Sequence, residues 1–199
     1  MILSAGRQLF LSNGYQGTSM DQVAATAAVS KQTVYKHFGE KRALLYAIVI
    51  DELDATVTNF GELISELAET TDIEASLIAL AMEYLQAVLR DRVVQLRRLV
   101  IAEASRLPEL AQLYYDRAPS RTLSALADAF RRLHERGLLY APESSVAAEH
   151  FAFLVIGRPM DHALFYGAAS VLDSLDIVSH ARSGVGVFLA GYRPRAKGG

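Results

Sequence analysis

The stretch Ser30 to Leu45 reads SKQTVYKHFGEKRALL. It crowds Lys31, Lys36, His37 and Lys41 around Tyr35 and Phe38, with Gln32 and Thr33 beside them. Only Val34 and Phe38 suit a core. At helical spacing they lie one turn apart on one face, so the remaining faces point outward. Lys can donate to guanine O6 and N7, Gln can pair with adenine, and the Thr methyl can touch a thymine methyl. Lys31, Gln32 and Thr33 stand on the first exposed turn, the part of a recognition helix that reaches base edges. Tyr35, Lys36 and His37 are placed for flanking phosphates. Lys41 falls in the first turn of the next helix, where a cation opposes the helix dipole, and a phosphate bound at that N-terminus would account for it. The competing reading is a solvated helix face, the usual fate of three surface lysines.

Caps and turns frame these residues. Ser30 reads as an N-cap, Val29 before it can staple onto Val34, and Gly39 breaks the helix. Upstream, Thr18-Ser19-Met20-Asp21 reads as a capping box. Met20, Val23, Ala24 and Ala27 follow as one apolar stripe. Ala28-Val29-Ser30 leaves a three-residue turn. A first helix over Ile2 to Asn13 turns Ile2, Leu9 and Phe10 inward and ends at Gly14. Two short helices joined by a short turn, the second poor in core residues, match a helix-turn-helix.

The rest of the chain also repeats at helical spacing. A long helix begins near Glu40. Asp72 caps one through Arg90, and Val93 to Arg106 is another, closed by Pro108. Pro119-Ser120 introduces a helix to Arg136, ended by Gly137. Pro142 precedes one through Tyr166, and Asp173 to Tyr192 is the last. The expected fold is all-α: a three-helix DNA-binding domain over 1–46 and a larger helical bundle over 47–192. Residues 193–199 form a basic tail expected to fray.

Composition narrows the function. The chain of 199 residues is 51% hydrophobic, apolar for a soluble protein, which calls for a large core and a buried subunit interface. Absence of Cys excludes disulfides and thiolate metal sites. No signal-peptide core opens the chain, and no apolar run approaches the ~18 residues that span a bilayer. A cytoplasmic protein without membrane contact is expected. Residues 1–47 carry five cations (Arg7, Lys31, Lys36, Lys41, Arg42) against Asp21 and Glu40, in a chain whose net charge is -2. A basic end on an acidic chain suits a polyanion. The five His form no H-x-x-x-H pair, and no G-x-S-x-G, P-loop or dinucleotide fingerprint occurs. Asp161 and His162 are adjacent and point to different helix faces. No catalytic residue, metal site or cofactor is expected.

Residues 2–46 resemble the DNA-binding domain of the TetR/AcrR family of transcriptional regulators. The resemblance rests on LFLSNGYQGTSMDQVAATAAVSKQTVYKHFGEKRALL: Phe10 before Gly14-Tyr15, Thr18-Ser19, Val23-Ala24, Val29-Ser30, Thr33-Val34-Tyr35, His37-Phe38, Lys41 and Leu44. It implies an all-helical homodimer on a palindromic double-stranded DNA operator, usually a repressor released by a small ligand. Lys31, Gln32 and Thr33 fall on the family's base-reading positions, and Thr18, Tyr35, His37 and Lys41 on phosphate-contacting ones. Ala28 stands where the family usually has a turn glycine. A positive φ there would cost about 1 kcal/mol. The chain also starts almost at helix 1, where relatives often carry a basic arm. Residues 47–192 resemble the family's regulatory domains, with AEASRLPELAQLYYDRAPSR and the following GLL similar to the AefR-like branch. The alternatives are an activator or ligand-independent regulator of the same fold, and a helical carrier or enzyme with a basic end.

In the larger part, residues 145–166 are apolar on nearly all sides, which marks a buried helix. Packing inward on one side and against a second subunit on the other would satisfy it. The expected dimer seam is Phe151, Leu154 and Val155 with Gly184, Val187, Phe188 and Gly191 of the last helix, the competing reading being an intramolecular core. Pro159 leaves the Val155 carbonyl without its helical partner, which marks either a pocket wall or a packing adjustment. Tyr84, Glu103, Tyr114, Phe130, Arg158 and His162 are candidates to line a pocket for an unknown small-molecule effector. The bland reading makes the aromatics core, pairs Glu103 with an arginine, and sets Arg158 and His162 at the seam.

Overall fold

The computed structural model describes residues 1–194, with 55–59 described by their backbone alone. The last part of the expected frayed tail, 195–199, lies outside the described residues. Among the described residues the secondary structure is helical without strands. The α-helices are α1 (Ile2–Asn13), α2 (Met20–Thr26), α3 (Lys31–Phe38), α4 (Lys41–Leu67), α5 (Ile73–Val88), α6 (Asp91–Glu103), α7 (Pro108–Tyr115), α8 (Arg121–Glu135), α9 (Ser144–Tyr166), α10 (Ala168–Leu172) and α11 (Ile177–Tyr192). A π-helical turn, Asp116–Ser120, precedes α8. The chain divides into two compact units, Met1–Ala55 with Gln95–Arg117, and Thr56–Val94 with Ala118–Gly199.

The first unit takes in α1 to α3 and the start of α4, and adds the segment carrying most of α6 and all of α7. Phe10, Val23, Val34, Leu44, Leu45 and Ile48 are almost free of solvent. α1 lies close on α4 at Gly6, where an added Cβ would stand 2.9 Å from Ile48 Cδ1 and 3.2 Å from Leu44 Cδ2. Arg7 ties the same helices, 2.5 Å from Asp51 and 2.9 Å from the buried carboxylate of Glu52. Pro108 does more than close a helix: it occupies the first turn of α7, where its missing N–H costs nothing.

The second unit is built around three rings. Phe130, Phe151 and Phe188 pack mutually, with centroids 5.2 to 5.6 Å apart. Asp72 caps α5 as expected, its carboxylate accepting from Ala75 N at 3.1 Å. Arg136 donates to Ala68 O and, at 2.8 Å, to Thr70 O, filling carbonyls left open after α4. The expected helix from Asp173 is instead α10, a break and α11, whose N-cap is Asp176 with Ser179 N donating at 3.1 Å. Inside α9, the Val155 carbonyl freed by Pro159 accepts from His180 Nε2 of α11 at 2.8 Å. The proline is therefore a packing adjustment, repaired from the neighbouring helix. A carbonyl only accepts, so Nε2 carries the proton.

This packing redistributes the expected seam. Phe151, Val155 and Phe188 are sealed inside their own unit. Gly184 is buried too, and a Cβ there would lie 3.3 Å from Leu154 O, so it lets α11 approach α9 within one chain. Leu154, Val187 and Gly191 remain exposed. They are joined by Phe153, Phe165 and Tyr166, each at least 70% exposed. A helix apolar all round offers two possible inward stripes, and the Phe130 ring selects the one with Phe151 and Val155.

Candidate nucleic-acid interface

α2 and α3 are set by polar caps at their starts. Ser19 is the N-cap of α2: its hydroxyl accepts from Gln22 N at 3.2 Å, while Gln22 Oε1 accepts from Ser19 N at 2.8 Å. The capping box is thus one residue later than the pattern from Thr18 suggested, and uses Gln22 as its distal member. Thr18 turns inward instead. It is 2% exposed, and its hydroxyl lies 3.1 Å from Leu9 O and 2.9 Å from Gly14 O. Its side chain stitches the end of α1 to the turn, which removes it from the surface where a phosphate contact was expected.

Ser30 caps α3, accepting from Thr33 N at 3.0 Å, and its hydroxyl shares a 2.8 Å bond with the Thr33 hydroxyl. Gly39 ends the helix at φ 68, with its N–H on Tyr35 O. The turn between α2 and α3 passes through Ala28 at φ 53, the one non-glycine residue with positive φ among those described. Val34 alone is buried in α3, and Phe38 is half-buried. Lys31, Gln32, Tyr35, Lys36 and His37 are all exposed, and Thr33 is half-buried. The side chains expected to meet DNA, Thr18 and Lys41 apart, therefore share one short helix with almost no core duty.

Two of the expected contacts have internal partners. Lys31 Nζ sits 2.5 Å from Asp21, both well exposed. Such a surface pair is worth ~0–1 kcal/mol, so it yields readily to a competing acceptor. Lys41 Nζ donates to Tyr15 O and Thr18 O, each at 2.8 Å, and lies 4.4 Å above the Tyr15 ring. This explains a cation in the first turn of α4 without any ligand: it binds the carbonyls of the turn before α2. Burial, then the carboxylates of Glu40 and Glu103, push the Tyr15 phenol above its ordinary pKa. The ring under Lys41 stays neutral at physiological pH.

Residues 2–48 match the family described as bacterial regulatory proteins, tetR family, and residues 75–194 match the AefR-like transcriptional repressor C-terminal domain. The chain belongs to the TetR family. A TetR-family regulator from Mesorhizobium loti is 33% identical, with a TM-score of 0.87 covering 96% of this chain and 95% of that one. The HTH-type transcriptional regulator UidR of Escherichia coli is 26% identical over 90% of this chain and 84% of its own. The flavonoid-responsive regulator FrrA is 26% identical, with a TM-score of 0.74 over 98% and 96% of the two chains. As a TetR-family protein the chain is a DNA-binding transcriptional regulator.

The residues expected to line an effector pocket in this TetR-family chain are divided between the two units. Glu103 and Tyr114 belong to the first unit. Glu103 is buried, with Arg106 as its cation at 3.6 Å, and the Tyr114 hydroxyl accepts from Arg97 Nε at 3.2 Å. In the second unit Tyr84 stacks on Phe60 at 4.7 Å, Phe130 is central core, Arg158 is exposed, and His162 packs on Tyr166 at 4.9 Å. A cavity that the sequence pattern did not mark opens along the end of α4 and the first half of α5, about 550 Å³. Leu63, Leu67 and Leu80 line it together with Ser65, Thr70 and Ser76. No helix among the described residues is long and apolar enough to cross a membrane.

Proposed function

We propose that this regulator is a homodimeric repressor that holds a palindromic operator and leaves it when a small apolar or amphipathic molecule binds its second unit. The observation that carries the reading is α3. It is capped at both ends, anchored by Val34, and presents Lys31, Gln32, Lys36 and His37 to solvent. Lys31, Gln32 and Thr33 read bases from its first turn, and Tyr35, Lys36 and His37 hold flanking phosphates. Lys41 spends two N–H donors inside and keeps one for a phosphate at the α4 N-terminus. The likeness of residues 75–194 to a repressor domain supports the sign of regulation. The exposed apolar residues of α9 and α11 support the dimer, since a patch of this kind marks an association surface.

The mixed lining of the cavity by α4 and α5 supports an effector with both apolar and polar parts. α4 contributes residues to both units, so it is the element through which a bound effector biases the spacing of the two recognition helices. That spacing must stay near one DNA turn, about 34–36 Å, for both half-sites to be read.

The test starts with operator selection from a randomised library. An inverted repeat should emerge, bound with a steep salt dependence. Lys36→Ala should lower the slope of log K against log salt by about 1 without changing the consensus. Gln32→Ala should cost about 1–3 kcal/mol on the selected site and relax one or two positions per half-site. An unchanged consensus with Gln32→Ala would remove it from base reading. For the effector, linkage requires the operator to weaken its binding by the factor by which it weakens operator binding. Equal effector affinities for free and operator-bound dimer would refute release.

A further inference from the structure

α9 leaves one line of exposed side chains running Leu154, Arg158, Asp161, Phe165. The steps between them are four, three and four residues, so they share one helix face. The order is apolar, positive, negative, apolar. Reversed, it reads apolar, negative, positive, apolar: the stripe is complementary to itself when laid antiparallel. Arg158 and Asp161 stand one turn apart, yet no ion pair joins either to any described residue of its own chain. Both are exposed; α9 also exposes Phe153 at 70% and Phe165 at 73%, and α11 exposes Val187 at 58%.

A twofold interface sets residue i on j and j on i. We infer that two copies pair through α9 in antiparallel register, with the axis between Pro159 and Met160, so that Arg158 of each copy meets Asp161 of the other. The same register places Leu154 against Phe165 twice. This rests on the dimeric reading above and adds which residues specify the pairing. A wholly apolar partner would bury Arg158 and Asp161 without counter-ions, which is strongly unfavourable. A second copy supplies both charges at matching positions. Arg158 and Asp161 are about 4.5 Å apart along the helix axis, within reach of long side chains across a close crossing. The ion pairs would thus set register and partner choice, while the apolar residues supply most of the buried area.

The test is dimer dissociation followed by sedimentation on the full chain, with circular dichroism confirming helical content. Arg158→Glu and Asp161→Lys should each raise the dimer dissociation constant about tenfold or more, because like charges then face each other. The combined variant should return close to wild type, and an equimolar mixture of the two single variants should form a heterodimer tighter than either homodimer. Singles that dimerise like wild type, or a combined variant no tighter than the singles, would overturn the register. Rescue of Asp161→Lys by Arg182→Glu would also overturn it, by placing the partner of Asp161 on α11. A monomeric wild type would instead refute the dimeric reading itself.

Discussion

In the turn before α2, Tyr15 O and Thr18 O take the ammonium of Lys41 from α4. In α9, Val155 O lost its donor to Pro159 and takes the imidazole of His180 from α11. Both regions satisfy interrupted backbone with a side chain from a neighbouring helix, but they use different donors. Lys41 is a cation beside α3, the helix that carries the exposed donors. An ammonium has three N–H donors, so one is left over from the two carbonyls. His180 joins α11 to α9, the two helices that carry the exposed apolar side chains. The repair thus draws on an ammonium in one unit and an imidazole in the other.

Lys41 should carry the largest effect. Lys41→Met deletes two bonds from a charged donor and should destabilise the chain by about 2–3 kcal/mol in urea denaturation. Operator affinity should fall with it, equally on matched and mismatched sites. Unchanged stability with a reduced salt slope would mean that Lys41 serves DNA alone, and the parallel with His180 would fail.

His180→Ala should cost less, about 1–2 kcal/mol, since only one bond to a part-buried carbonyl is lost. Pro159→Ala returns an N–H to Val155 O, so the loss should shrink in that background. A double-mutant cycle with coupling below about 0.5 kcal/mol, the error of additivity, would show that His180 does not repair the proline break.

The smallest effect sharpens the picture at Ala28, where φ is 53 and no side chain can relieve the strain. Left-handed backbone costs a non-glycine residue about 1–2 kcal/mol, offset by the ~0.5–1 kcal/mol entropy that glycine loses on folding. Ala28→Gly should therefore raise stability by roughly 0.5–1 kcal/mol, read as a higher Tm. A lower Tm would mean that the alanine methyl has a packing role outweighing the strain.

The local pattern alone determined a good deal. Gly14 and Gly39 end α1 and α3 at positive φ, Ser30 and Asp72 cap α3 and α5, and the exposed donors of α3 lie where spacing put them. Caps, turns and the contrast between apolar and polar faces are decided within about one helical turn, so they can be read from neighbours in the chain. Three matters were decided only by tertiary structure. Ser19, not Thr18, caps α2 because Leu9 O and Gly14 O draw the Thr18 hydroxyl inward. Gln95–Arg117 joins the first unit although it lies far from α1 to α3 in sequence. The core side of α9 was invisible because both of its stripes are apolar. Only the rings of Phe130 and Phe188, brought from α8 and α11, chose Phe151 and Val155 for the interior and left Leu154 and Phe165 outside. Periodicity can name a face only when the opposite face differs, and where it does not, long-range packing decides.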